Sequence, residues 1–152
     1  MKASDLMVRE VVTIHDEATV DELCDLLQEK NINGVPVVDH NGSLVGVVTM
    51  EDIIYGAMGI TGEDKRKKEK KLALYRGKLI VRQPEEKAIV MVKEIMTSPA
   101  IFAYEDTPLI EICRTMWNFR IHRIPIVHGD RVTGVISSLD LCRAIATGTI
   151  TA

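Results

Sequence analysis

Apolar residues recur along this chain in two rhythms, and each rhythm occurs twice. Val20, Leu23, Cys24 and Leu27 fall three or four positions apart, as do Leu109, Ile112, Cys113 and Met116. That spacing predicts a helix with one apolar stripe. Val35-Pro36-Val37-Val38 and Ile124-Pro125-Ile126-Val127 are instead unbroken apolar runs. They read as strands of a sheet covered on its faces. A turn follows each run, Asp39-His40-Asn41-Gly42 or His128-Gly129-Asp130, and the Asn-Gly and Gly-Asp pairs suit a tight hairpin. A second β run then ends at Val48 or Ile136. Each helix is preceded by a short extended piece, Val11 to Ile14 or Ala100 to Ala103, and opens through Asp16 to Thr19 or Glu105 to Pro108. Thr49-Met50-Glu51-Asp52 and Ser137-Ser138-Leu139-Asp140 open a final helix in each copy.

The two copies superpose by sequence. At an offset of 89, Met7 meets Met96, Glu22 meets Glu111, Cys24 meets Cys113, Ile32 meets Ile121 and Pro36 meets Pro125. One residue is lost in the hairpin, and at an offset of 88 Gly46 meets Gly134, Thr49 meets Ser137 and Asp52 meets Asp140. The predicted fold class is α/β (α+β), with two β-α-β-β-α repeats. A unit of about 55 residues buries little surface alone. Two related units packed sheet to sheet with pseudo-twofold symmetry solve that problem and create two equivalent clefts. The expected boundaries are repeat 1 at 1–58, an insert at 59–91, repeat 2 at 92–148 and a tail at 149–152.

Composition narrows the function classes. The chain has 152 residues, 46% hydrophobic and 27% charged, which is ordinary globular usage. Its apolar runs are too short to span a bilayer, and the opening Met-Lys-Ala-Ser-Asp lacks the apolar stretch of a signal peptide, so a cytoplasmic protein without membrane contact is expected. Cys24, Cys113 and Cys142 have no zinc spacing and read as small buried hydrophobes; His15 and His40 likewise show no metal pattern. Trp117 and Phe119 read as core or interface residues, and the methionines as packing. The net charge of -3 is uneven, because residues 63–78 hold eight basic and three acidic residues. Such a run is usually a solvated helix face; contact with nucleic acid is the alternative reading, with little aromatic interleaving to support it.

The pattern with chemical content is Gly-h-x-[Thr/Ser]-x-x-Asp, where h is apolar: Gly46 to Asp52 and Gly134 to Asp140. A strand ends and a helix begins there, so free N–H groups and the positive helix end face a cleft. The hydroxyl can bond a phosphate or ribose oxygen, and the Asp can accept both ribose hydroxyls. Thr-x-x-Asp and Ser-x-x-Asp are also the spacing of a capping box, in which both side chains serve the helix's own backbone. Spacing alone does not choose between these readings.

The strands and this motif together closely resemble the cystathionine-β-synthase (CBS) domain family, over about residues 1–58 and 92–148. Ile121 to Val127 followed by Gly134 to Asp140 is similar to the nucleotide-sensing repeats of the AMP-activated kinase γ subunit. The resemblance implies a regulatory module whose clefts take AMP, ADP, ATP or S-adenosylmethionine. By position it implies ribose binding by Asp140, hydroxyl contact from Ser137 and base packing by Val135. Val12 and the backbone of Ile32, Asn33 and Gly34 would frame the adenine, with His122 and Arg123 at the phosphate. The second cleft would use Val47, Thr49 and Asp52, with Ile101 and the backbone of Ile121, His122 and Arg123. The clefts differ chemically: His122 and Arg123 are matched by Asn33 and Gly34, and Leu139 by Glu51. A phosphate favours guanidinium and imidazole donors and avoids an added carboxylate. The Asp140 cleft is therefore expected to hold the phosphorylated nucleotide, and the Asp52 cleft to be weaker, empty, or suited to a ligand of little negative charge.

No catalytic group assembles from the sequence, and no P-loop or dinucleotide fingerprint appears, so no enzyme, catalytic cofactor or metal is expected. The expected partners are the adenine nucleotide, a second copy of the chain in a homodimer, and an effector protein that the sequence does not identify. Helices at Ala18–Lys30, Met50–Met58, Thr107–Phe119 and Leu139–Ala146 would supply the dimer interface in the family arrangement.

Overall fold

Thr19 begins the first long helix as its chemistry requires. The Glu22 N–H donates to Thr19 Oγ1 (3.2 Å) and the Thr19 N–H to Glu22 Oε2 (2.7 Å), closing a capping box. In the computed structural model, which describes residues 1–57 and 90–150, this helix is α2, Val20–Lys30. The expectations for the basic insert, including a strand at Leu79 to Val81 and a loop at Pro84 to Lys87, lie outside the described residues.

Elements are numbered in chain order over the described residues. They are α1 Ala3–Leu6, β1 Ile14–His15, α2, β2 Gly34–Val38, β3 Leu44–Thr49 and α3 Met50–Ala57. Then come α4 Val92–Ile95, β4 Ala103–Tyr104, α5 Leu109–Phe119, β5 Arg123–His128, β6 Arg131–Ser137 and α6 Ser138–Ala146. There are two three-stranded sheets, ordered β1-β2-β3 and β4-β5-β6, so the doubled α+β reading holds. β1 runs parallel to β2 with Ile14 beside Val37, and β4 runs parallel to β5 with Ala103 beside Ile126. The extended pieces therefore form strands slightly later than their sequence placed them, at Ile14–His15 and Ala103–Tyr104.

The described chain divides into two compact units, and these do not follow the sequence repeats. One gathers Met1–Val12, Gly42–Leu44 and the chain from Ile101; the other gathers Thr13–Asn41 and Val45–Ala100. The short helix before each repeat belongs with the body of the other repeat. In the first unit the Ala3 and Ser4 N–H groups donate to Thr107 and Glu105 carbonyls (both 2.9 Å). In the second, Val92 and Lys93 donate to Ala18 and Asp16 (2.8 and 2.9 Å) at the matching positions. The methionine after each helix then lies on a glycine. A Cβ on Gly46 would stand 2.7 Å from Met96 Sδ and 2.9 Å from the Thr97 carbonyl oxygen, and one on Gly134 would overlap Met7 Sδ. The motif glycine is thus explained by close packing.

Ala3, Met7, Leu109, Ile112, Met116, Ile124, Ile126 and Ile136 form the buried core of the first unit. Ile14, Leu23, Leu27, Val35, Val37, Val48, Val92 and Ile95 are the buried apolar residues of the second. Both long helices end at a left-handed residue, Asn31 or Arg120, each with φ 52°. The Ile32 and Ile121 N–H groups that follow donate back to Leu27 and Met116 carbonyls (3.0 and 3.1 Å). The cysteines depart from expectation: Cys24 and Cys142 are exposed and Cys113 half-buried, because the stripes turn Leu23, Leu27, Ile112 and Met116 inward instead. Trp117 and Phe119 are not core either; both are exposed on α5.

Candidate functional site

β6 ends at Ser137 and α6 starts one residue later, so the motif carboxylate lies in the first helical turn. The Ser137 N–H and Oγ both donate to Asp140 Oδ2 (2.8 and 2.6 Å), and the Asp140 N–H donates to Ser137 Oγ (3.3 Å). The capping box is present in full. It commits the hydroxyl proton to Asp140 and leaves Ser137 Oγ to accept. A carboxylate accepts about four hydrogen bonds, so Oδ1 keeps capacity. The pair in this geometry suits a ligand hydroxyl, which donates, better than a phosphate oxygen, which only accepts.

Two arginines act on this carboxylate. Arg123 is the cross-strand partner of Ser137 in the antiparallel β5–β6 ladder and is half-buried. Burial pushes its guanidinium below the ordinary arginine value, and the charge of Asp140 acts in the opposite sense. Arg143 Nη1 lies 3.7 Å from Asp140 Oδ1, one turn along α6. The exposed His122 is anchored through its backbone, whose carbonyl accepts from the Ser138 N–H (2.9 Å). Val135 is half-buried and exchanges two backbone hydrogen bonds with Val8 (both 3.0 Å), while Val12, four residues on, is half-buried in a loop.

The second unit repeats the capping frame. The Thr49 N–H and Oγ1 donate to Asp52 Oδ2 (2.8 and 3.1 Å), and the Met50 N–H donates to the Asn33 carbonyl (2.9 Å). Asp52 is 6% exposed, the buried charged residue among those described. Val47 is half-buried and exchanges two hydrogen bonds with Thr97 (3.1 and 2.9 Å). Buried Gly34 stands where the first unit has Arg123, and exposed Glu51 where it has Leu139.

The structure therefore gathers Val12, His122, Arg123, Val135, Ser137 and Asp140 in one unit, and Ile32, Asn33, Gly34, Val47, Thr49 and Asp52 in the other. Ile101 and Ile121 belong to the first unit, where half-buried Ile121 packs on the core. Arg143 was missed by sequence reasoning, although its place three residues after Asp140 on a predicted helix was a usable signal. Among the described residues no group of three or more His, Cys, Asp or Glu side chains is placed to hold a metal, and no helix is long and apolar enough to cross a membrane.

The family model that describes the CBS domain matches residues 3–59 and 92–147. The chain belongs to the CBS domain family. A similar solved structure is the CBS domain pair of protein MJ0100 in complex with 5′-methylthioadenosine and S-adenosyl-L-methionine. It is 26% identical, with a TM-score of 0.71 over 97% of this chain and 98% of that one. CBSX2 in complex with AMP superposes with a TM-score of 0.71 over 98% of both chains; at 23% identity that likeness is one of fold. Curated relatives include an uncharacterized protein, MJ1404, of Methanocaldococcus jannaschii, 28% identical over 95% of this chain. The inosine-5′-monophosphate dehydrogenase of the same organism is 29% identical over 93%. The chain spans 32% and 23% of those two proteins, so the CBS pair is only part of each.

Proposed function

We propose that this CBS pair is a regulatory module that binds adenosine ligands, with AMP, ADP or ATP at Asp140. The observation that carries the reading is the half-buried Arg123 beside Asp140, where the equivalent Asp52 has Gly34. Asp140 Oδ1 and Ser137 Oγ receive the ribose hydroxyls, Val135 and Val12 pack on the base, and Arg123 and His122 hold the phosphate. The Asp52 site, with Glu51 beside it, suits a ligand of little negative charge. S-adenosylmethionine is the second reading, favoured there by the adenosyl ligands of the MJ0100 pair. Binding is read out through a homodimer and an effector protein rather than through chemistry on the ligand. Nucleic-acid binding through the basic run at 63–78 is the remaining alternative, and predicts binding that weakens steeply with salt.

A thermal-shift screen of AMP, ADP, ATP, S-adenosylmethionine and NAD tests the reading. A ligand at about a hundred times its Kd stabilises by about 2.7 kcal/mol. For a chain of this size that is a rise in Tm of roughly 5–10 °C. Adenine nucleotides should produce it and guanine nucleotides should not. An equal shift with GMP, or none with any adenosine compound, contradicts the proposal.

A further inference from the structure

α6 brings a second charged group to the carboxylate at its own start. Asp140 Oδ2 is occupied by the Ser137 N–H and Oγ (2.8 and 2.6 Å), so Oδ1 is the oxygen left for a ligand hydroxyl. Arg143, one turn along the same helix, has its Nη1 3.7 Å from Oδ1. That is beyond hydrogen-bond distance. The Arg143 side chain is 68% exposed, and its guanidinium donates no hydrogen bond among the described residues. An exposed pair so long adds little to the fold. The five donors of the guanidinium are therefore open to a ligand. Tyr55 stands at the matching place beside Asp52, so the second unit has no counterpart of this arginine.

We propose that the Asp140 site takes an adenosine ligand that carries a phosphate on its ribose as well as at its 5′ end, and that Arg143 holds the ribose phosphate. This rests on the nucleotide reading of Asp140 above and adds which part of the ligand Arg143 meets. A ribose hydroxyl donating to Oδ1 lies about 2.7 Å from it. The vicinal ribose oxygen is then beside Arg143, whose long side chain already reaches Oδ1. A guanidinium with open donors matches a phosphate there, not a second hydroxyl. In dinucleotide sites a carboxylate accepts a bare ribose hydroxyl, and an arginine nearby accommodates a phosphate in its place. Both groups are present here, which suits a ribose with one bare hydroxyl and one phosphate. Arg123 comes from β5 and Arg143 from α6, so guanidiniums on separate elements serve the 5′ and the ribose phosphate. Two arginines against one carboxylate leave the excess positive charge that a second phosphate requires.

Calorimetric titration of AMP, ADP, adenosine 2′,5′-bisphosphate and adenosine 3′,5′-bisphosphate into the whole chain tests this. ADP carries its second phosphate at the 5′ end and controls for charge. One of the two bisphosphates should bind about tenfold or more tightly than both AMP and ADP. Whichever binds better identifies the ribose oxygen that faces Arg143. In Arg143→Gln that bisphosphate should fall to the affinity of AMP for the same variant, and Arg143→Lys, which keeps the charge but not the planar fork, should recover part of the preference. Arg143 is exposed, and urea unfolding verifies that each variant folds. If ADP binds as tightly as either bisphosphate, or AMP binds and neither bisphosphate does, or the preference survives in Arg143→Gln, the role given to Arg143 is wrong while the nucleotide reading of Asp140 stands. Binding of none of the four overturns both.

Discussion

Replacing Asp140 separates its duty to the helix from its duty to a ligand. In Asp140→Ala the Ser137 N–H and Oγ both lose Oδ2, their acceptor at 2.8 and 2.6 Å. Hydrogen bonds to a charged group contribute about 1.5–3 kcal/mol each, but these two share one oxygen, and loss of a helix cap costs about 1 kcal/mol. The half-buried Arg123 also loses the nearby carboxylate whose charge opposes its desolvation. We expect a loss of about 2–4 kcal/mol, seen in urea unfolding as a lower midpoint at unchanged slope. Asp140→Asn keeps an acceptor for the Ser137 N–H and loses only the charge, so about 0.5–1.5 kcal/mol is expected. For AMP the order compresses: both variants should lose at least tenfold in affinity, because an amide whose oxygen serves the Ser137 N–H presents its NH2, which cannot accept, where Oδ1 received a ribose hydroxyl. If Asp140→Ala unfolds within about 0.5 kcal/mol of wild type, the cap does not hold this helix start and the energetic reasoning fails. If Asp140→Asn binds AMP like wild type, the carboxylate is a cap and nothing more.

Three further outcomes follow from the same geometry. Gly46→Ala should destabilise more than Gly134→Ala, because its Cβ meets the Thr97 backbone oxygen as well as a methionine, while at Gly134 only the Met7 side chain must move. About 2–4 kcal/mol is expected at Gly46 and about 1–3 at Gly134, by urea titration; the reverse order would refute the packing account. The Thr19 backbone N–H, and then its hydroxyl, hold Glu22 below the usual carboxylate range. Its contribution is therefore present above about pH 4.3 and lost as pH falls through the lowered value, so Glu22→Gln should flatten the acid limb of the stability profile. Burial, and then Asp21 and Asp25, push the Cys24 thiol up, so it should alkylate more slowly at pH 8 than a free cysteine despite its exposure. In a Cys113→Ser, Cys142→Ser chain, a rate above that of free cysteine would contradict this.

The repeat, the long helices and the hairpin strands were legible because periodicity, turns and capping are local. Val20 to Leu27 and Thr19 to Glu22 declare a helix within one stretch of chain, and the structure places α2 there. The exchange of α1 and α4 between repeats was not legible. Those four-residue helices have no period of their own, and their bonds to Thr107 and Ala18 lie far away in sequence. Position alone identified the Ser137–Asp140 and Thr49–Asp52 pairs, but it did not reveal that each hydroxyl proton is already committed. The cysteines misled because Cys24 and Cys113 sit at the edge of an apolar stripe, where sequence shows composition but not which residue turns inward. Arg123 was named from its contrast with Gly34, and the ladder that sets it opposite Ser137 gives that contrast its physical basis.

Calorimetric titration of AMP into the wild-type chain, Asp140→Ala and Asp52→Ala tests the assignment of the phosphate site most directly. Asp140→Ala should lose AMP binding while Asp52→Ala retains it within a few-fold. AMP binding as tight as wild type in Asp140→Ala, with binding abolished in Asp52→Ala, would contradict it.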